Sequence, residues 1–109
     1  MRSKPVIPSH RARQDVETET DYYLFEEGSA QAALGFIDAV EEAYLRLGRN
    51  PALGSPRYAY ELNLPGLRSW PLRRYPQLVF YVDRDDHVEI WRVINSARDI
   101  PAWLLNEKE

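Results

Sequence analysis

Apolar residues recur at helical spacing most clearly between Ser29 and Gly48. Ala33, Phe36, Ile37, Val40, Ala43, Tyr44 and Leu47 line one face, and Asp38, Glu41, Glu42 and Arg46 the other. The pattern predicts a helix over 29–48, closed by Gly48 and Asn50-Pro51. Upstream, Ser9 is placed to cap a helix that opens at His10. Its stripe Ala12, Val16, Tyr23 runs toward Gly28 but is weakened by Glu19 and Thr20. Helices over 9–27 and 29–48, joined so tightly, pack as an antiparallel hairpin. Ahead of them Val6-Ile7, set between prolines, reads as a brief strand.

The pattern changes after Asn50. Pro51, Gly54, Pro56 and Pro65-Gly66 make residues 50–66 a long connection with room for one turn of helix. Three strand signals follow. Leu67 to Leu72 carries Pro71, which suits an edge strand. Leu78 to Val82 is apolar throughout, and Arg84-Asp85-Asp86 turns the chain into a last strand over 87–95. A short apolar tail, Ile100 to Leu105, ends the pattern. The order β-α-α-β-β-β predicts an α+β fold, with a short N-terminal strand and a helical hairpin packed on one face of a mostly antiparallel sheet. Residues 1–109 are expected to form one domain.

A sheet covered on one side alternates apolar and polar positions. Here residues 78–82 do not alternate. In the last strand, strict alternation puts Val88, Ile90 and Ile94 on one face, and Trp91 and Val93 on the other. Two helices cannot cover both faces. Either the tail with Trp103, Leu104 and Leu105 lies over the second face or a second protein does. The partner is favoured, since uncovered apolar area of this kind marks interaction sites.

Charge sharpens this picture. The 109 residues carry a net charge of −3, and the isoelectric point near 5.4 argues against direct nucleic-acid readout. The charge is unevenly spread. Between Asp15 and Asn50 stand nine acids but only two bases, Arg46 and Arg49. Between Arg57 and Arg98 stand seven arginines against five acids. Arginine's planar fork suits carboxylates, phosphates and aromatic faces. The candidate partner-binding residues are Arg68, Trp70, Arg73, Arg74, Trp91, Arg92, Arg98, Trp103 and Leu104.

Other chemistry is sparse. There is no cysteine, so no disulfide, thiolate metal site or cysteine nucleophile. His10 and His87 are the only histidines, and HExxH, P-loop, GxGxxG and GxSxG patterns are absent. Neither a metal nor a cofactor is expected, and no catalytic residue is assigned. Tyr58, Tyr60, Tyr75 and Tyr81 stand among arginines that could stabilise a pentavalent phosphate, but no residue obviously supplies the general acid and base. No apolar run is long enough to span a bilayer, and the first eight residues have no apolar core of a signal peptide. A cytoplasmic location is expected.

Several stretches together are recognisable: Pro8-Ser9-His10-Arg11-Ala12, Ala32-Ala33 with Phe36-Ile37-Asp38 and Glu41-Glu42-Ala43, Leu47, and Pro51-x-x-Gly54-x-Pro56-Arg57. So are Pro65-Gly66-Leu67-Arg68, Tyr75 with Leu78-Val79-Phe80-Tyr81, and Val93-Ile94-x-x-Ala97-Arg98-Asp99-Ile100. In this order the chain resembles the ParE branch of the RelE/ParE toxin superfamily. The resemblance implies a toxin of a type II toxin–antitoxin module, neutralised by a ParD-like ribbon–helix–helix antitoxin whose C-terminal segment wraps it. It implies poisoning of DNA gyrase without nuclease activity. The alternative within the superfamily is a ribosome-dependent mRNA endonuclease of the RelE kind. Two positions depart from many relatives: Asn95 replaces a histidine, which weakens the endonuclease reading, and Arg73 replaces a glycine.

Overall fold

The computed structural model describes residues 3–105. Strand β1 spans Val6–Pro8 and leads directly into helix α1, His10–Asp21. Ser9 Oγ accepts the Ala12 amide at 3.1 Å, the capping bond its position predicts. A π-helical turn, Tyr22–Glu26, continues α1, and Gly28 at φ +64° turns the chain. Helix α2, Ala30–Arg49, starts at Ser29, whose Oγ accepts the Ala32 amide at 3.0 Å. The connection after it holds more structure than one helical turn. A 3₁₀ turn, Pro51–Leu53, is followed by helix α3, Arg57–Leu62. Strands β2 (Leu67–Pro71), β3 (Gln77–Asp83) and β4 (Val88–Asn95) follow, and the tail folds as helix α4, Ile100–Leu105.

The sheet order is β1-β4-β3-β2, with β1 parallel to β4 and the other pairs antiparallel. Pro71 thus lies on an edge strand, where a missing N–H costs no ladder bond. The hairpin of α1 and α2 covers one face. Ala33, Phe36, Val40, Ala43 and Leu47 of α2 meet Val79, Tyr81, Val88, Ile90 and Val93 of the sheet. Burying a side chain such as Phe36 stabilises the fold by about 1.5–3 kcal/mol.

The second face corrects two expectations. It is covered largely by the chain itself: Ile100 and Leu104 of α4, with Tyr58, Ala59 and Leu62 of α3 packed beside them, close over Leu67, Phe80, Val82 and Ile94. The favoured need for a partner across this whole face therefore falls away, because the tail covers part of it, as the alternative had it, and residues 57–62 form a longer helix than the single turn expected there. The face assignment along β4 also changes. Phe80 pairs with Arg92 but Tyr81 pairs with Ile90, so Trp91 is an extra residue in a β-bulge. Beyond it the alternation reverses. Val93 joins Val88 and Ile90 under the helices, while Ile94 lies with Trp91 on the opposite face.

Candidate functional site

The densest polar constellation links α1, β4 and α4. Asp15 projects from α1 among the apolar positions of its inner stripe and receives Arg92 through two bonds, Nε to Oδ2 at 2.7 Å and Nη2 to Oδ1 at 2.8 Å. Its Oδ2 also accepts the Val93 amide at 3.0 Å. Arg92 Nη1 donates to the Trp103 carbonyl at 3.0 Å and so ties α4 to the sheet. Both partners are nearly closed to solvent, with side chains 9% and 11% exposed for Arg92 and Asp15. The Arg92 and Arg98 guanidinium carbons lie 5.6 and 5.1 Å from the centre of the Trp103 ring, within cation–π range. Beside this group, Gln14, Thr18, Glu19, Asn95, Arg98 and Trp103 help to line a cleft of about 340 Å³.

This cleft separates the sequence-derived candidates by role. Arg98 is exposed and makes no ion pair among the described residues, whereas Arg92 is committed to Asp15. Trp103 remains 37% exposed, Trp91 is half-buried and Leu104 is buried against the second face. Asn95 caps a turn, its Oδ1 accepting the Ala97 amide at 2.9 Å.

A second group forms where the β2–β3 connection meets α2. Arg73 lies 3.8 Å from Glu42, and both it and Arg74 are exposed. With Gly35, Asp38, Ala39 and Tyr75 they line a shallow cleft of about 390 Å³. Tyr75 Oη donates to the Ala32 carbonyl at 2.8 Å and its ring sits edge-on to Phe36 and Tyr23. Trp70 is half-buried against the core under the hairpin. The structure therefore gathers Arg98 and Trp103 at one place, and Arg73 and Arg74 at another.

Arg68 belongs to neither group. Its Nη1 donates to the Gly54 carbonyl at 2.6 Å. Tyr81 Oη accepts the Gly54 amide at 2.8 Å and donates to the Pro51 carbonyl at 2.7 Å. These bonds pin the Pro51-x-x-Gly54-x-Pro56 segment to the sheet edge, where Ser55 and Ser69 also exchange backbone bonds. A Cβ on residue 54 would stand 2.5 Å from the Tyr81 hydroxyl, so only glycine fits. Burial raises the Tyr81 phenol's pKa, opposed by the Gly54 amide and the Arg68 charge.

Asp15, Gln77 and the anchoring role of Tyr81 escape the sequence reading. A signal for the first two exists: Asp15 and Glu19 interrupt the inner stripe of α1, and each answers a buried polar group. Glu19 accepts Gln77 Nε2 at 2.8 Å, and Tyr23 Oη lies 3.2 Å from the same nitrogen. Among the described residues no three His, Cys, Asp or Glu side chains gather as a metal site, and no helix is long and apolar enough to cross a membrane.

The fold and sequence also match known proteins. A family model described as the ParE toxin of the type II toxin–antitoxin system parDE matches residues 6–100. A solved structure titled "Chromosomal ParDE TA system from P. aeruginosa" superposes with a TM-score of 0.70 at 21% identity, covering 85% of this chain and 96% of that one. At this level of identity the superposition shows a shared fold. No curated protein sequence matches the chain.

Proposed function

The chain belongs to the ParE toxin family of type II toxin–antitoxin systems, and from that premise we propose that it is a binding toxin of the cytoplasm that poisons DNA gyrase and is neutralised by a ParD-like antitoxin. The observation that carries the binding mode is the commitment of Arg92 to Asp15. Cutting RNA requires a base, an acid and a cation aimed at the phosphate. Arg92 is occupied by a carboxylate in a nearly closed site, and Asn95 is engaged with the Ala97 amide. Of the histidines, His87 lies beside Asp86 in the β3–β4 turn, and His10, exposed at the start of α1, lines a groove with Trp91 and Arg92 in which Arg92 is already held by Asp15. These engagements favour binding over the RelE-like alternative.

The antitoxin is proposed to meet Trp91, Arg98 and Trp103, with Arg73 and Arg74 as a second contact and Arg68, Trp70, Arg92 and Leu104 supporting from within. An amphipathic segment carrying acids suits this surface: it would cover the indole and pair with guanidiniums that lack close ion pairs. The test is induction of the chain alone in bacteria, followed by assays of supercoiling by purified gyrase and of ribosome-bound mRNA. Growth arrest with inhibited supercoiling and intact mRNA is expected. Arrest with mRNA cut in the ribosomal A site would replace this reading with the endonuclease.

A further inference from the structure

The far end of the helical hairpin is built around the aromatic turn Tyr22–Glu26. Where α1 passes into the π-helical turn, Tyr23 is drawn inward, its ring 5.5 Å from that of Phe36 and 5.4 Å from that of Tyr75. Its neighbours are turned outward. Phe25 is 71% exposed, Tyr22 46% and Leu24 37%, and Leu34 on the first turns of α2 is 63% exposed. The turn is well braced. Glu27 N–H donates to the Tyr22 carbonyl at 3.0 Å, Ser29 N–H to the Tyr23 carbonyl at 2.9 Å, and the Tyr22 ring stands edge-on to Tyr23 at 5.4 Å. A rigid turn that presents Phe and Tyr to solvent holds the residue types that dominate binding energy at protein interfaces, already ordered before binding.

The surroundings of these side chains carry one sign of charge. Residues 14–45 contain no Lys, Arg or His. Asp21, Glu26 and Glu27 are exposed and make no ion pair among the described residues. The local field is felt by Tyr22, whose phenol is shifted upward in pKa first by the neighbouring Glu27 carboxylate, then by burial and by the charges of Glu19 and Glu26.

Three occupants are disfavoured by this charge. A second copy would bring acids against acids. Nucleic acid would bring phosphates against them. An antitoxin segment acidic enough to answer Arg98 would be repelled here as well. What fits is a protein surface that is cationic and carries an apolar pocket, as a surface that holds a nucleic-acid backbone does.

We propose that the hairpin tip is the target-binding surface, seating Phe25 and Tyr22 in an apolar pocket of a cationic, DNA-handling protein while Asp21, Glu26 and Glu27 meet the bases around it. This deepens the reading of the chain as a gyrase poison and rests on it. The tip then acts from a different part of the molecule than Arg98 and Trp103, so target and antitoxin contacts are separable by mutation.

The experiment compares the full-length protein with Phe25→Ala and with the double variant Glu26→Lys/Glu27→Lys. These side chains are exposed, and a thermal melt by circular dichroism checks that each variant is folded. Each is assayed for inhibition of purified gyrase at low and high salt, for growth arrest on induction, and for binding to the antitoxin. Phe25→Ala is expected to weaken inhibition about tenfold, the size of a hot-spot loss. The charge reversal should weaken it at low salt and much less at high salt, with antitoxin affinity unchanged in both variants. If the unaltered protein inhibits gyrase and both folded variants inhibit it equally, the tip is not the target surface. Loss of antitoxin binding with inhibition intact would overturn the proposal in favour of an antitoxin contact. If the unaltered protein arrests growth without inhibiting gyrase and both variants abolish the arrest, the tip assignment stands and the gyrase reading fails.

Discussion

Removing Asp15 tests whether the buried bridge holds the α1–β4–α4 junction together. In Asp15→Ala, Arg92 keeps its charge in a site where its side chain is 9% exposed, and it loses two charge-assisted bonds. The Val93 amide loses its acceptor too. Removing one partner of a buried pair costs about 3–5 kcal/mol. That is a large part of the roughly 5–15 kcal/mol that stabilises a typical domain. Replacing both partners removes the buried cation along with its carboxylate, so Asp15→Ala/Arg92→Met should be less destabilised than Asp15→Ala alone. Urea unfolding of the purified toxin, followed by circular dichroism, gives both values and their coupling. The bridge would be incidental if Asp15→Ala lay within about 1 kcal/mol of the unaltered protein. It would be wrongly described as a charge pair if the double variant were less stable than the single one by the full cost of losing Arg92.

Two tyrosines should respond oppositely to loss of the hydroxyl. Tyr81→Phe removes the bonds to Gly54 and Pro51 and should cost about 1–3 kcal/mol in the same unfolding assay. Tyr44 Oη is buried without a hydrogen-bond partner among the described residues. Tyr44→Phe should therefore leave stability unchanged or raise it by up to about 1 kcal/mol. Burial, reinforced by the Asp15 charge, pushes the Tyr44 pKa from 10.0 up to about 12. The fold thus favours the neutral phenol, so this contribution is fully present below the unfolded pKa and is lost as pH rises between the two values. Stability measured against pH should accordingly fall less steeply above pH 10 in Tyr44→Phe; an unchanged slope would contradict the shift. At the proposed antitoxin surface, Trp103→Ala should weaken affinity about tenfold or more, and Arg98→Ala less and mainly at low salt. Titration calorimetry at two salt concentrations would reverse this order if the interface were chiefly electrostatic.

The helical hairpin was legible because its signals are local. A capping serine at Ser9 and again at Ser29, a 3.6-residue stripe in α2 and Gly28 between the helices all act over a few residues. The sheet was legible in its strands but not in its faces. A bulge at Trp91 obeys no composition rule, and it reverses every side chain after it; alternation counted through Val93 and Ile94 therefore had to fail. α3 escaped because Tyr58, Ala59 and Leu62 form one short apolar edge among prolines and glycines. Its stability comes from packing on Phe80 and its neighbours, where the Tyr58 and Phe80 rings stand edge-on at 5.4 Å. Such a short helix gains little from intrinsic propensity.

The candidate site was legible by residue type but not by partnership. Seven arginines counted along the chain suggest one cationic surface, yet in space most are already engaged. Arg57 meets Glu61, Arg84 meets Glu89, Arg92 meets Asp15, and Arg68 binds backbone carbonyls. Two of these partners lie close along the chain, but Asp15 is 77 residues from Arg92, a separation no local pattern reports. The polar interruption of α1's inner stripe was the available clue: a carboxylate placed among Ala12, Val16 and Tyr23 must either distort the helix or bring a cation into the core. Once Arg92 takes that role, the charge left for a partner is small and divided between Arg98 and the Arg73-Arg74 pair. At the hairpin tip Asp21, Glu26 and Glu27 make no ion pair among the described residues. The molecule's electrostatic asymmetry is therefore stronger on its acidic side than its arginine count suggests. On that side specificity for a cationic target is most readily built.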